Sequence, residues 1–336
     1  MLTRIKVENF RGITSADVPL FPVTVLVAPN NAGKSTLLEA LAISIGGVQA
    51  LPEIVRRRGW PGLSMLSAML PHEKTKTVVQ RHDGTEVTTT LKRVSIIEST
   101  DTEHLQQTEL KRPQAVYVAG HPRSGRFFID AQGRTFTVMH SGGDLPGFAR
   151  LLTDQQISPD ELVDAVGIIA RRGESTHARL VQHLKVIDPD LADIRAIPVD
   201  NARWEPHAMY ADRTIPLAVF GDGMKRLLSL VARLSGADEF PALIEEPECF
   251  QHPRVLNKIA DIIWSAADAN AQVIVSTHSV SFFELLRQRA QEETDRRDKF
   301  GLIEIERGAD GNVTTAAFPQ GIGPFRSELL REKLGG

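Results

Sequence analysis

The segment at residues 28–36 reads A-P-N-N-A-G-K-S-T, and it constrains the fold more than any other part of the chain. It departs from the phosphate-loop pattern G-x-x-x-x-G-K-[ST] only at Ala28, where the pattern has its first glycine. An apolar run from Val23 to Val27 precedes the segment, and apolar residues at helical spacing follow it. Backbone N–H groups in such a strand–loop–helix unit bind phosphate oxygens. The sequence therefore predicts an α/β fold with a nucleotide-binding loop, the alternative being an ordinary glycine-containing turn before a helix.

The residues of this loop have separate expected roles. Lys34 supplies a cation for the β- and γ-phosphates and is one predicted catalytic residue, while the Ser35 hydroxyl can ligate Mg²⁺. If the first position needed a left-handed backbone, Ala28 would cost roughly 1–2 kcal/mol. Either that position is not left-handed or the loop carries strain. The predicted nucleotide-binding residues of the loop are Asn30, Asn31, Ala32, Gly33, Lys34, Ser35 and Thr36.

Two adjacent acids follow a second apolar run, in the segment F-P-A-L-I-E-E-P-E at residues 240–248. In open α/β sheets ligands bind at the carboxyl ends of the strands, where these acids would lie. We expect Glu245 to approach Mg²⁺ and Glu246 to polarise the attacking water, because phosphoryl transfer needs mainly positioning and charge stabilisation. A solvated acidic turn after an edge strand is the alternative.

Two further motifs stand beside the acids in the second half of the chain. Gly221 and Gly223 open an amphipathic helix, and a bare helix N-terminus is an anion-binding site. His278 follows the apolar run from Val273 to Thr277, so it could donate a hydrogen bond to a γ-phosphate. Taken separately, the first is more simply a helix entry turn, and the second is more simply a structural histidine.

The pattern along the chain indicates how these motifs are connected. Short β-like runs dominate up to about residue 140, and a proline-containing capping box at residues 158–161 opens a helical region. The last third alternates strands with helices, which implies a mainly parallel sheet covered on both sides. We predict one domain over residues 1–336. Its parts are a β-rich lobe at 1–140 with the phosphate loop, a helical insertion at 141–200, and a lobe at 201–336 with the remaining motifs.

In this order the motifs resemble the ABC-type ATPase heads of the SMC, RecF and OLD-like proteins. The opening IKVENFRGI, the loop PNNAGKST, the helix GDGMKRLL, the segment IEEPE followed by HP, and the strand VSTHS look most like the OLD-like group. The resemblance implies an ABC-ATPase head with an N-terminal antiparallel β subdomain, a mainly parallel sheet with the phosphate loop, and an inserted helical subdomain. It also implies ATP and Mg²⁺ as cofactors. Full-length OLD proteins carry a C-terminal TOPRIM nuclease domain, but only 58 residues follow His278 here, so we expect no such domain in this sequence.

The resemblance further assigns roles to individual residues. It implies that Arg11 lies near the nucleotide and that His278 is the switch histidine. It implies that Gly221 and Gly223 reach the γ-phosphate of ATP held by a second copy, in a head-to-tail homodimer that needs ATP. The chain departs from the usual pattern in having Phe220 where many signatures have serine, and Glu245 where aspartate is usual.

Partners and location are inferred more indirectly. The net charge of −3 neither demands nor forbids DNA, and the arginine pairs and triplet at 56–58, 171–172 and 296–297 are candidate DNA contacts. The sequence has one cysteine, no signal peptide and no apolar run long enough to span a membrane. We therefore expect a cytoplasmic protein without a membrane partner. We expect an ATPase that switches a separately encoded nuclease or another effector, or DNA, in bacterial DNA metabolism or anti-phage defence. The alternatives are a nucleotide-gated scaffold with negligible turnover and, less well supported, a transporter ATPase subunit.

Overall fold

The computed structural model describes residues 1–47, 50–59, 74–94, 117–121, 125–129, 135–142, 150–152, 157–199, 204–235 and 241–320. The strands are β1 (Leu2–Phe10), β2 (Ile13–Pro19), β3 (Val23–Val27), β4 (Lys74–Arg81), β5 (Glu86–Val94), β6 (Tyr117–His121), β7 (Gly125–Ile129), β8 (Thr135–Gly142), β9 (Arg150–Leu152), β10 (Asp193–Pro198), β11 (Trp204–Met209), β12 (Thr214–Pro216), β13 (Ala242–Glu245), β14 (Val273–Thr277), β15 (Phe300–Arg307) and β16 (Val313–Pro319). The helices are α1 (Lys34–Gly46), α2 (Ala50–Arg57), α3 (Pro159–Arg171), α4 (Glu174–Leu184), α5 (Asp222–Leu234), α6 (Pro253–Asp268), α7 (Val280–Glu292) and α8 (Thr294–Lys299).

Within the described residues the strands form three sheets. One has the order β2-β1-β4-β5-β8-β7-β6 with antiparallel neighbours, and a second has the order β10-β11-β12, also antiparallel. The third has the order β16-β15-β3-β14-β13-β9, in which β13 and β14 pair in parallel. The predicted α/β class with an N-terminal antiparallel sheet is confirmed.

The chain forms two compact units. The first comprises Met1–Phe21, Leu26–Leu151 and Ile303–Phe318, and the second comprises Pro22–Val25, Leu152–Leu302 and Pro319–Gly336. The division at residues 140 and 200 that the sequence predicts stays a prediction. None of the helices in the described ranges combines the length and the apolar character that crossing a bilayer requires.

The first unit is built around α1, the helix that follows the phosphate loop. Alternation along β1 buries Ile5 and Val7 completely, and α1 packs against β1, β4 and β5. The hydroxyl groups of Ser44 on α1 and Thr77 on β4 form a buried hydrogen bond, with 2.7 Å between their oxygens. These contacts fix the direction of α1, and therefore the position of the loop at its N-terminus.

The second unit places α5 among three other helices. Helix α5 packs against α3, α4 and α6 and also touches β13, with Leu227 and Leu228 fully buried. The capping box at α3 is present, since Ser158 and Glu161 exchange side-chain and backbone hydrogen bonds. The apolar run from Val273 to Thr277 is strand β14, and α5 begins at Asp222, between the two glycines that the sequence places at a helix start.

Candidate functional site

The phosphate loop contains two residues with left-handed backbones. Asn31 and Gly33 adopt left-handed conformations with φ of 62° and 106°, and Gly33 is the N-cap of α1. Glycine adopts such angles without steric cost and asparagine adopts them more readily than most residues. Ala28 does not have a positive φ, so the missing first glycine introduces no left-handed strain.

The Lys34 ammonium group lies inside the loop that it is expected to serve. Its Nζ donates to the carbonyl oxygen of Ala28 at 2.8 Å and lies 3.3 Å from that of Pro29, and the residue is only 5% exposed. Burying an ammonium group is costly unless its donors are satisfied, and two loop carbonyls accept hydrogen bonds from it here. The cation is therefore held where a phosphate bound to the loop N–H groups would meet it.

Arg11 lies against helix α1 rather than in open solvent. Its φ is 52°, and its guanidinium forms an ion pair with Glu39, whose side chain is completely buried. Arg58 also donates to Glu39, with 2.7 Å between Nε and Oε1. The expected contact of Arg11 with a nucleotide stays a prediction, and the structure adds a buried carboxylate that orients this arginine.

The paired acids differ in their surroundings. Glu245 ends β13 and is 2% exposed, whereas the Glu246 side chain is 22% exposed. Glu246 has a left-handed φ of 45°, and its N–H donates to the carbonyl of Ser276 at 2.9 Å. Its Oε1 lies 2.8 Å from Nε2 of His278. The structure thus brings together the acid and the histidine that the sequence singled out as catalytic.

A third acid, Glu248, organises the segment that holds His278, and the sequence reasoning gave it no role. Its Oε1 accepts from the Thr277 hydroxyl at 2.5 Å and from the N–H groups of His278 and Ser279 at 3.0 and 3.2 Å. Burial is the largest influence on its carboxyl and raises its pKa above the usual value. The repeated acid in E-E-P-E was the signal available for it.

Two more residues that the sequence did not single out contact the acid pair. The Cys249 thiol donates to Oε2 of Glu246 at 3.3 Å, and burial together with this hydrogen bond raises its pKa to about 12. The thiol is therefore protonated at neutral pH. Arg226 lies on α5 and is almost completely buried. Its guanidinium donates to the backbone carbonyls of Glu245 and Glu246 at 3.3 and 3.0 Å.

The two signature glycines, Gly221 and Gly223 at the start of α5, differ in how much space surrounds them. A Cβ on Gly223 would lie 2.9 Å from the carbonyl oxygen of Phe250, so local packing alone requires a glycine there. A Cβ on Gly221 would meet nothing within 4 Å, and its φ of −63° suits any residue. Val219 and Phe250, both close to this helix start, are 72% and 58% exposed.

The expected site residues fall into one group in each unit. Arg11 and the loop residues Asn30 to Thr36 belong to the first unit. The second unit contains Gly221, Gly223, Glu245, Glu246 and His278.

The donor chemistry fits a magnesium nucleotide. The loop supplies a buried ammonium group and a helix N-terminus for phosphates. Taken separately, the Ser35 hydroxyl in the first unit and the Glu245 carboxylate in the second are each oxygen donors of the kind that Mg²⁺ prefers.

Two family profiles match the chain. One is described as "AAA domain, putative AbiEii toxin, Type IV TA system" and matches residues 72–284, and the other is described as "AAA ATPase domain" and matches residues 1–111. The chain is 23% identical over 340 residues to an ATP/GTP phosphatase of Helicobacter pylori, covering 87% of this chain and 89% of that protein. It is also 48% identical over 48 residues to an OLD nuclease of Thermus scotoductus, covering 14% of this chain and 9% of the nuclease.

Solved structures resemble the fold along nearly its whole length. A crystal structure of an Smc head bound to the C-terminal winged-helix domain of ScpA matches with a TM-score of 0.56 and 13% identity, covering 95% of this chain and 97% of that one. An Smc head with an extended coiled coil, bound to the C-terminal domain of ScpA derived from Pyrococcus furiosus, matches with a TM-score of 0.54 and 11% identity, covering 98% of both chains.

The family profiles and the sequence relatives define an ATPase of the AAA type, and its fold resembles that of Smc heads. The predicted resemblance to OLD-like proteins is matched over 48 residues by the OLD nuclease. The chain belongs to the AAA-domain family described as "putative AbiEii toxin, Type IV TA system", whose profile matches more than half of its length.

Proposed function

We propose that this ATPase binds ATP with Mg²⁺ and hydrolyses it as a head-to-tail homodimer that forms only when ATP is bound. The observation that carries the proposal is the pair formed by Glu246 and His278, with 2.8 Å between Oε1 and Nε2 at the carboxyl ends of β13 and β14. The left-handed backbone of Glu246 supports it, since such strain is concentrated at functional sites.

Each residue then has one task. Lys34 and the N–H groups of the loop bind phosphate oxygens, while Ser35 and Glu245 hold the metal, which supplies charge neutralisation on the phosphates. Glu246 orients the attacking water and accepts its proton, because it is the more exposed of the two paired acids. His278, whose Nε2 lies 2.8 Å from Oε1 of Glu246, holds this carboxylate until a γ-phosphate is bound and then donates to the phosphate.

The surface around the signature helix supports an interface between two copies. Gly221 leaves open space in front of the N-terminus of α5, and no packing within the described residues accounts for a glycine there. Exposed apolar side chains that cluster mark interaction surfaces. Val219 is exposed two residues before Gly221, and Phe250, whose carbonyl oxygen lies next to Gly223, is exposed as well. ATP held by one copy would reach Gly221 and Gly223 of the other.

The downstream partner is proposed as a separately encoded nuclease or other effector, or DNA, in DNA metabolism or anti-phage defence. The family description, which names a putative toxin of a toxin–antitoxin system, and the OLD nuclease match support this direction. Among the candidate DNA contacts, Arg296 is 2.7 Å from Asp268 and Arg58 is paired with buried Glu39, so both of these arginines are already engaged within the chain. The side chains of Arg56 and Arg57 lie outside the described part of the chain.

The deciding experiment measures the molar mass of the protein with and without Mg-ATP, in the presence and absence of duplex DNA. We expect a monomer that becomes a dimer with ATP, Lys34→Ala staying monomeric, and Glu246→Gln accumulating the ATP-bound dimer without turnover. If wild type and Glu246→Gln turned over ATP equally slowly, the nucleotide-gated scaffold would be the better description. A strictly monomeric ATP-bound protein would refute the dimer.

A further inference from the structure

Arg307, the last residue of β15, lies beside the phosphate loop although it is 276 positions away from it in the sequence. Its Nη1 is 3.5 Å from the carbonyl oxygen of Asn31, the loop residue with the left-handed backbone. Both residues belong to the first unit, together with the rest of the loop. A second cation besides Lys34 thus adjoins the segment that is expected to bind phosphate.

Gly12 makes the room that the Arg307 guanidinium occupies. A Cβ built on Gly12 would lie 2.6 Å from Nη2 and 2.9 Å from Cζ of Arg307, closer than such atoms approach in proteins. The φ of Gly12 is not positive, so its backbone could be adopted by other residues. A side chain at position 12 would therefore require the Arg307 guanidinium to move from its place over Gly12.

The guanidinium keeps most of its hydrogen-bonding capacity. Arginine has five N–H donors in a planar fork, and the contact with Asn31 uses one of them. In the part of the chain that the structure describes, no carboxylate lies within ion-pair distance of Arg307, and its side chain is exposed. A planar, exposed guanidinium beside a loop of phosphate-binding geometry suits bidentate contact with phosphate oxygens.

We propose that Arg307 is a further nucleotide-binding residue, which contacts the phosphate chain of the nucleoside triphosphate at the loop, and that Gly12 is there to admit it. This proposal rests on the proposed function, because it assigns a second cation to the same phosphate chain. Lys34 is buried among loop carbonyls, whereas Arg307 approaches from the exposed side of Asn31. The expected contribution is to affinity and not to the chemical step, so KM should change and kcat should not.

The test is isothermal titration calorimetry with Mg-ATP and, separately, with inorganic tripolyphosphate, on the full chain. Arg307→Gln should raise the Kd for both probes about five- to tenfold, the effect of one charge-assisted contact at an exposed position. Arg307→Lys should fall between Arg307→Gln and wild type, since a point charge lacks the fork. Arg4→Gln is the matched control, because it removes the same charge from an exposed arginine that is paired with Asp17.

Gly12→Ala provides an independent arm, because its methyl group would displace the guanidinium without changing any charge. We expect Gly12→Ala to weaken binding as much as Arg307→Gln, and the double variant to be no weaker than Arg307→Gln alone. Arg307→Gln binding both probes within twofold of wild type would overturn the proposal, as would a loss with ATP but not with tripolyphosphate. Absence of ATP binding by wild type would instead refute the proposed function itself.

Discussion

Replacing each signature glycine by alanine should separate packing from function at the start of α5. In Gly223→Ala the new Cβ would lie 2.9 Å from the Phe250 carbonyl oxygen, a backbone atom that cannot turn aside. Overpacking of this kind costs about 1–3 kcal/mol, and the better helix propensity of alanine returns at most about 1 kcal/mol. We therefore expect a net loss of about 1–2 kcal/mol in the free energy of unfolding.

Gly221→Ala is the matched partner, since nothing lies within 4 Å of its Cβ and its φ is −63°. Alanine stabilises by about 0.4–1 kcal/mol through the unfolded chain, and loses about 0.5–1 kcal/mol as a poorer N-cap than glycine. The two effects nearly cancel, so stability should stay within about 0.5 kcal/mol of wild type. If ATP on a second copy approaches Gly221 closely, ATP-dependent dimerisation and turnover should nevertheless fall.

Urea unfolding measures the stability of both variants, and light scattering with Mg-ATP measures their dimerisation. A Gly223→Ala variant as stable as wild type would refute the packing argument. A Gly221→Ala variant that is stable, dimeric and fully active would refute the assignment of Gly221 to the interface between copies.

Variants at two further positions test the acid loop and a half-buried histidine. Glu248→Ala should lose about 2 kcal/mol of unfolding free energy, measured in urea, and much of the ATP turnover, because three donors lose their acceptor and the segment with His278 loses its anchor. Glu248→Gln keeps an acceptor oxygen and should lose less of both. Equal losses in the two variants would contradict this role of Glu248. The pKa of His183 is lowered to about 4 by burial and by Lys258 and Arg179, so the unfolded chain binds the proton more readily and stability is lost as the pH falls from about 6.5 towards 4. Since His183 is only half-buried, we expect that loss to be about 1–2 kcal/mol in pH-dependent urea unfolding, and His183→Gln should remove it; an unchanged pH slope in the variant would contradict this account.

The parts of the fold that the sequence predicted well are those with local causes. The limits of β14 follow from an uninterrupted buried apolar run, and α6 begins where His252 caps it and proline occupies its first turn. The capping box of α3 is a contact over three residues, so it too could be read directly. These signals need no knowledge of the tertiary structure.

The residues that the sequence missed depend on contacts between distant segments. Glu248 acquires its role only because β13 and β14 pair in parallel with Glu245 opposite Ser276, which brings the acid to the start of α7. Arg307 reaches Asn31 through the pairing of strands that lie at opposite ends of the chain. Neither residue lies in a pattern with a fixed local spacing, and propensity and periodicity therefore cannot identify them.

The three acids of the E-E-P-E segment can be assigned different tasks from their environments alone. Glu248 is buried, its Oε1 is occupied by three donors, and its pKa is raised by burial, so it is suited to hold a loop and not to meet water. Glu245 is almost completely buried at the end of its strand. Such burial suits a carboxylate that has few waters between it and a metal ion. Glu246 alone combines exposure with orientation, because His278 and the Cys249 thiol each hold one of its oxygens.

The contacts with His278 and Cys249 use two acceptor positions of the Glu246 carboxylate. An ionised carboxylate has about four such positions, so Glu246 can still accept a proton from water. Arg226 steadies the same turn through the carbonyls of Glu245 and Glu246, and the left-handed backbone at Glu246 costs on the order of 1–3 kcal/mol that the surrounding contacts must offset. A solvated acidic turn, the alternative reading of this segment, would need neither a strained residue nor a buried arginine to hold it. The cost of this arrangement is the strongest reason to place the chemistry at Glu246.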